Sequence, residues 1–424
     1  MLSPHHTIAP QNFSRASIKS LLAFASAFRR HLGIIALLCY SMLCTAPGYA
    51  QISPAIQSAR GPFAVGFRIV KQYDKSRQFN PSNVAAATAQ YQGERPRPVQ
   101  TLVWYPASVS SPVKALRYQD YVRTRFSEIN FTESQDHLSN AMAGYEASLR
   151  RRLGSDALDL LNSKVATIAD ATPLLNRFPL VLYAPGAGGS ADENAELCEY
   201  LSSYGYVVMS STSMAAAGKE IGDDMASVEP QVADLLFLLN YASSLPFVDT
   251  RKVAVMGWSW GGMTNVFATT RDHRIGAIIS LDGTREPELT RNIDINNLTA
   301  PWLYVSRSPD TISQINRSGI DTSFSLLNAA KFADVYQLIA YPMQHFDFTS
   351  MRLHESSPGS YREYQREELV QAYTVIAEYI RHFLASALHK DQAAQAFLER
   401  KPKDNGAAPH SMRMDINKAQ PKQE

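Results

Sequence analysis

Ser259 stands between two tryptophans in Gly257-Trp258-Ser259-Trp260-Gly261, a G-x-S-x-G arrangement followed by Gly262. The apolar run KVAVMG (252–257) leads into it and GMTNVFATT leads away. The serine is therefore expected on a turn between a strand and a helix. So tight a turn forces the serine into strained dihedrals and lifts its hydroxyl off the carboxyl end of the strand. Side chains at the flanking glycine positions would collide with backbone. A hydroxyl held this way is a candidate nucleophile, and it needs a base and a third group to orient that base. A glycine-rich turn that merely contains a serine is the plainer reading, and the strand before and helix after weigh against it.

Seven histidines follow residue 50. His137 falls in a helical stretch, His273 follows the helix after the serine, and His382, His389 and His410 lie on the last helix or beyond it. His345, in YPMQHFDF (341–348), sits on a loop between the last expected central strand and the last long helix, and is the candidate base. His354, nine residues later, is the fallback; a loop histidine bonded to Asp347 is the bland alternative for His345. Two aspartates compete for the orienting role. Asp282 ends IGAIISLD, 23 residues after Ser259, and Asp310 follows PWLYVS, 51 residues after it. Both fall at carboxyl ends of expected parallel strands, where side chains reach a site, and the residues alone leave both open. A tetrahedral intermediate also needs backbone donors. The amide of Trp260 is one. The loop Pro185-Gly186-Ala187-Gly188-Gly189, after the apolar run PLVLYA, offers the amide of Ala187 as the other. As a phosphate cradle that loop is weak, lacking a following Lys-Ser/Thr and an acid at the right distance.

These residues need a frame. Residues 61–73 and 98–106 read as strands, as do GYVVMSS (205–211), IGAIISLD (275–282), PWLYVS (301–306) and ADVYQLIAY (333–341). Helical stretches fall between the later strands and over about 363–388. Alternating strands and helices imply an α/β class with a mostly parallel central sheet flanked by helices. Residues 114–176 break the rhythm. Leu138, Met142, Tyr145 and Leu149, then Leu158, Leu161, Val165 and Ile168, step by three and four, so a helical insertion is expected there, a cover or a buttress for the site. Residues 401–424 carry little apolar content and read as a disordered tail. The expected division is a signal peptide over 1–50, one domain over 51–400 and the tail.

The N-terminal reading rests on Arg15, Lys19, Arg29 and Arg30, with no acid among residues 1–50, ahead of the apolar Leu32–Ala46 and of Gly48-Tyr49-Ala50. That is the pattern of a secretory signal cut near Ala50. Its roughly 15 apolar residues are fewer than the ~20 that span a bilayer, so no stable membrane span is expected. The protein is expected to be exported, periplasmic or secreted, with the Arg29-Arg30 pair a faint hint of twin-arginine export. Without those four cations the chain carries 37 basic and 39 acidic residues, no basic surplus for nucleic acid. Only Cys198 of three cysteines lies beyond the signal, so neither an internal disulfide nor a cysteine metal cluster is expected.

GWSWGG, the PGAGG loop, the strand ending in LDG and the loop histidine together resemble the α/β-hydrolase fold. The likeness is strongest to plasma-type platelet-activating-factor acetylhydrolases (isoform II) and to dienelactone-hydrolase-like proteins, and RPVQTLVWYPA (97–107) is similar to an early strand of that group. It covers roughly residues 61–110 and 178–390, not the insertion or the tail. In such chains the base comes last, which suits His345. The acetylhydrolase likeness places the acid at the end of the strand after the nucleophile helix, here Asp282. The dienelactone-hydrolase likeness would place it at Asp310, with a cysteine nucleophile where this chain has Ser259. It also implies Ala187 and Trp260 as oxyanion donors. The oxyanion loop of that group begins His-Gly where this chain has Pro185-Gly186, and the charged motif common after its next strand is missing here. The expectation is a serine hydrolase acting on a small-molecule ester through an acyl-enzyme, without metal or cofactor. A peptidase or amidase with the same triad and an inactive binding module are the alternatives.

Overall fold

The structure is a computed structural model that describes residues 54–80, 95–109, 115–222, 224–283, 287–291, 293–309, 326–361 and 364–422. The proposed signal segment and Asp310 lie outside the described residues.

The chain opens with β1 (Ala64–Phe79) and β2 (Arg95–Ala107), a long antiparallel pair. The insertion follows as β3 (Ala115–Arg117), α1 (Tyr118–Thr124), α2 (Gln135–Leu153), α3 (Asp156–Asn162) and β4 (Lys164–Ala169). Then come β5 (Phe178–Ala184), α4 (Ala195–Ser203), β6 (Val207–Ser211), α5 (Met225–Ala242), β7 (Val248–Trp258), α6 (Trp260–Arg271), β8 (Ile275–Leu281) and β9 (Trp302–Ser306). The chain closes with β10 (Val335–Ala340), α7 (Ser350–Glu355), α8 (Arg366–His389), α9 (Gln392–Glu399) and β11 (Met412–Asn417).

The described strands form one sheet in the order β11-β10-β9-β8-β7-β5-β6-β2-β1-β4-β3. It is parallel from β6 to β10 and covered on both faces, the arrangement that lets strands be apolar throughout. In β5 every residue is buried. Leu180, Leu182 and Ala184 join the core under α5 and α6, while Val181 and Tyr183 join the core under α4 and α8, as the two-residue period of a strand requires.

Register aligns the strand ends. Ala184 pairs with Gly257, Trp258 with Leu281, and Leu281 with Val305, while Ser306 pairs with Ile339. The loops after β5, β7, β8, β9 and β10 therefore leave the sheet side by side at its carboxyl edge, where ligand sites of open α/β sheets form.

Two sequence expectations are corrected. The insertion is not wholly helical: Val165 and Ile168 lie on β4, which pairs with β1 and β3. Their three-residue spacing mimicked a helix, but in Lys164–Ala169 the β-branched Val165, Thr167 and Ile168 suit a pleated surface. The tail is not disordered, because β11 pairs with β10 from Met412↔Ala340 to Asn417↔Val335. Met412, Met414 and Ile416 recur every second residue and pack on the α4/α8 core. Three apolar residues in alternation suffice for an edge strand although the segment as a whole is polar.

The insertion has its own small core of Tyr118, Val122, Leu149, Ala157, Leu160 and Leu161. It is also bolted to the rest. Arg125, just after α1, ion-pairs with Asp192 at 2.7 Å and Glu355 at 3.2 Å, and the Tyr118 hydroxyl donates to Glu355 at 2.7 Å. Glu128 accepts from the amide of Ala191 at 3.1 Å and pairs with Lys219 at 2.5 Å. These contacts fall just beyond the PGAGG loop, so this part of the insertion acts as a buttress for it.

Candidate active site

Ser259 has φ 53° and ψ −123°, the strained turn its motif requires, and it caps α6. Its N–H donates to the carbonyl of Leu281 at 2.9 Å, which ties the Ser259 turn to the end of β8. A Cβ on Gly261 would overlap the Ala184 carbonyl oxygen, so the helix can start this close to β5 only with glycine there.

The Ser259 Oγ lies 2.8 Å from His345 Nε2, and His345 Nδ1 lies 2.6 Å from Asp282 Oδ2. Three strand ends thus supply three groups in one line. Asp282 is 3% exposed, and its φ of 52° is again in the left-handed region, which aspartate tolerates better than most residues. His345 opens a short 3-10 turn to Phe348. The Asp347 carboxylate accepts from the amide of Gln344 at 2.8 Å and braces that turn. His354 does not meet the serine: its Nε2 lies 2.7 Å from Glu196, whose carboxylate also accepts from the amides of Ala55 and Ile56.

The tryptophans divide between the two faces of the sheet. The ring of Trp260 is buried in the α5/α6 core. Trp258 points the other way, and its indole N–H donates to the His345 carbonyl at 2.7 Å. Its ring lies 5.0 Å from the imidazole centroid, and Gly186 packs against it so closely that a Cβ would overlap the indole. Trp258 therefore fixes His345 and the upstream loop together. Trp260 is the first residue of α6, so its amide has no acceptor within the helix. Ala187 is exposed in the loop after β5. Of its neighbours, the Gly186 amide is committed to Glu193 Oε1 at 3.0 Å and the Gly189 amide to the Gly186 carbonyl at 2.8 Å.

Sequence reasoning missed Arg307, Phe346 and Glu193. Arg307 follows β9 and puts Nε 2.8 Å from Asp282 Oδ2. Its place directly after an apolar strand marks it for the carboxyl edge of the sheet, but not which side chain it meets there. Phe346, 60% exposed beside buried Trp258 at a 5.5 Å ring distance, is a large apolar side chain left open at the site.

Residues 219–319, which include Ser259 and Asp282, match the prolyl oligopeptidase family. No curated protein matches the chain. A solved ferulic acid esterase from Streptomyces cinnamoneus is similar to it with a TM-score of 0.57 and 20% identity, over 87% of this chain and 99% of that one. The chain has the α/β-hydrolase fold. In that fold the carboxyl edge of the parallel strands carries the chemistry, and here that edge holds Ser259, Asp282 and His345 within hydrogen-bond reach of one another.

Glu193 lies behind the site. Its Oε1 accepts from the Tyr183 hydroxyl at 2.6 Å as well as from Gly186. Burial pushes its carboxyl up to about 8. Asp192 next to it is also raised by burial, against the pull of Arg125. Nothing in the loop letters ADEN announces this, since they read as solvent-facing. The linkage has a definite sign. The unfolded carboxyl ionises near the ordinary glutamate value of 4.5 while the folded one keeps its proton to about pH 8, so the folded state binds the extra proton between those values and stability falls as pH rises through them. Glu193→Gln, which keeps the acceptor but cannot ionise, is expected to lose less Tm than wild type between pH 5 and pH 8. Thermal melts followed by circular dichroism at the two pH values check this, and equal losses would refute it.

Proposed function

We propose that the chain is an exported serine hydrolase that cleaves carboxylic esters through an acyl-enzyme. The observation that carries this is the unbroken line from Ser259 Oγ to His345 Nε2 and from Nδ1 to Asp282 Oδ2. Ser259 attacks the ester carbonyl carbon as His345 Nε2 takes the hydroxyl proton. The Asp282 carboxylate holds the Nδ1–H tautomer and faces the imidazolium that forms. The amides of Ala187 and Trp260 receive the oxyanion. Collapse of the intermediate breaks the bond to the leaving alcohol, which receives the proton from Nε2. Water then attacks the acyl-enzyme with the same base, releases the acid and restores Ser259. Neither a metal nor an organic cofactor takes part. Export rests on the Leu32–Ala46 segment and its basic flank. Among the described residues no helix is long and apolar enough to cross a membrane.

The open Phe346 ring beside Trp258 favours an ester with an aromatic or extended apolar part, the class of the acid in the neighbour's name. Phe346→Ala is expected to lower kcat/KM about tenfold for a p-nitrophenyl ester with a long or aromatic acyl group, the scale of partly exposing a phenyl ring. It should change the acetate by much less. Equal effects on both would remove Phe346 from acyl recognition. A second reading, a peptidase, is favoured by the family match over residues 219–319. Parallel assays with p-nitrophenyl esters and aminoacyl anilides decide between them: kcat/KM at least as high for an anilide would sink the esterase reading.

A further inference from the structure

Asp282 faces two cationic or basic partners. His345 Nδ1 lies 2.6 Å from its Oδ2, and Arg307 Nε lies 2.8 Å from the same oxygen. The Arg307 amide also reaches Oδ1 at 3.4 Å. Arg307 is 8% exposed, so its charge acts there with little screening. Its contact with Oδ2 is an ion pair rather than a directed hydrogen bond. One Arg307 Nη lies 3.4 Å from His345 Nδ1. Nδ1 donates its proton to Asp282, and a guanidinium has no acceptor to offer, so that approach binds nothing and opposes positive charge on the ring. Among the described residues the imidazole also meets Ser259 from the β7 turn and the rings of Trp258 and Phe346, and Asp347 lies two residues along its own turn. Asp347 is balanced by Arg352 at 3.6 Å. Glu193 lies on the far side of Gly186.

We propose that Arg307 is a positioning residue that fixes the Asp282 carboxylate and keeps the His345 imidazole neutral into the acid range. The inference rests on the triad reading above. An ordinary triad carboxylate, unopposed, would favour the protonated ring; here one fixed cation offsets that charge. The enzyme thereby retains its general base at a pH where an uncompensated triad would have lost it.

The test is the pH profile of kcat/KM with p-nitrophenyl acetate for wild type, Arg307→Met, Arg307→Gln and Arg307→Lys. In the two neutral variants the acid limb is expected to move up by about one pH unit, so each loses about tenfold more activity below the limb than above it. Arg307→Lys should keep the limb near its wild-type position. An acid limb that stays put in the neutral variants while activity falls equally at all pH values would overturn the proposal. The His345 ring resonance, assigned by its loss in His345→Gln, gives the same titration without any substrate. The proposal therefore stays testable if the chain turns over no ester. Should neither neutral variant fold, the wild-type ring still tests the proposal: titration at or above the ordinary histidine value of about 6.5 overturns it.

Discussion

Ser259→Ala is expected to lower kcat for a p-nitrophenyl ester by about 10⁶-fold, the loss seen when the nucleophile of an interdependent triad is removed. The substitution deletes one hydroxyl. The bond that disappears is the 2.8 Å contact with His345 Nε2; the Ser259 amide keeps its bond to the Leu281 carbonyl. Alanine and serine pay alike for a φ of 53°, so backbone strain is unchanged and the melting temperature should move little. KM should also stay close to wild type, because the groups proposed to hold the substrate, Phe346 and the two amides, are untouched. A fluorophosphonate probe adds a direct readout: wild type should gain one adduct, located at Ser259 by peptide mass, and the variant none. If the variant retains more than about one per cent of wild-type kcat, the serine is not the nucleophile and the triad reading falls.

The residues legible from sequence were those whose chemistry depends on local backbone. Ser259 announced itself because G-x-S-x-G encodes a turn, and the turn encodes the exposure. The continuous apolar runs PLVLYA and KVAVMG revealed central strands because both faces of the sheet are covered. What stayed hidden depends on register and burial. That the end of β8 lies beside the end of β9 is set by the pairing of Leu281 with Val305. No spacing along the chain reveals that Arg307 then lands on Asp282. Glu193 sits in a run of polar letters, yet it is buried against Tyr183 and Gly186, while the insertion's Arg125 and Glu128 hold its neighbours Asp192 and Ala191. The insertion fell outside the family likeness, and its spacing allowed either a cover or a buttress; the contacts of Arg125 and Glu128 with Asp192 and Ala191 decide for the second. The tail misled for the opposite reason: composition averaged over 24 residues hid an alternation only six residues long.

Asp282→Asn is expected to lower kcat by about 10⁴-fold, and Asp310→Asn to leave it within about twofold. Among the described residues, the carboxylate of Asp282 accepts from His345 Nδ1, at 2.6 Å. An asparagine there can present an NH₂ group to the ring, which stabilises the tautomer protonated at Nε2, and that nitrogen then cannot accept the serine proton. The loss could instead be blamed on folding, because the substitution strands a buried guanidinium: Arg307 would keep its charge with its 2.8 Å partner neutralised, and an uncompensated buried charge is strongly destabilising. The two effects separate in Asp282→Asn/Arg307→Met. Removing the orphaned cation should recover much of the melting temperature lost by the single variant, while kcat stays down, since the tautomer problem remains. Recovery of activity together with stability would mean that Asp282 matters only as a counter-ion. Loss of activity in Asp310→Asn with Asp282→Asn unaffected would move the acid to the loop after β9.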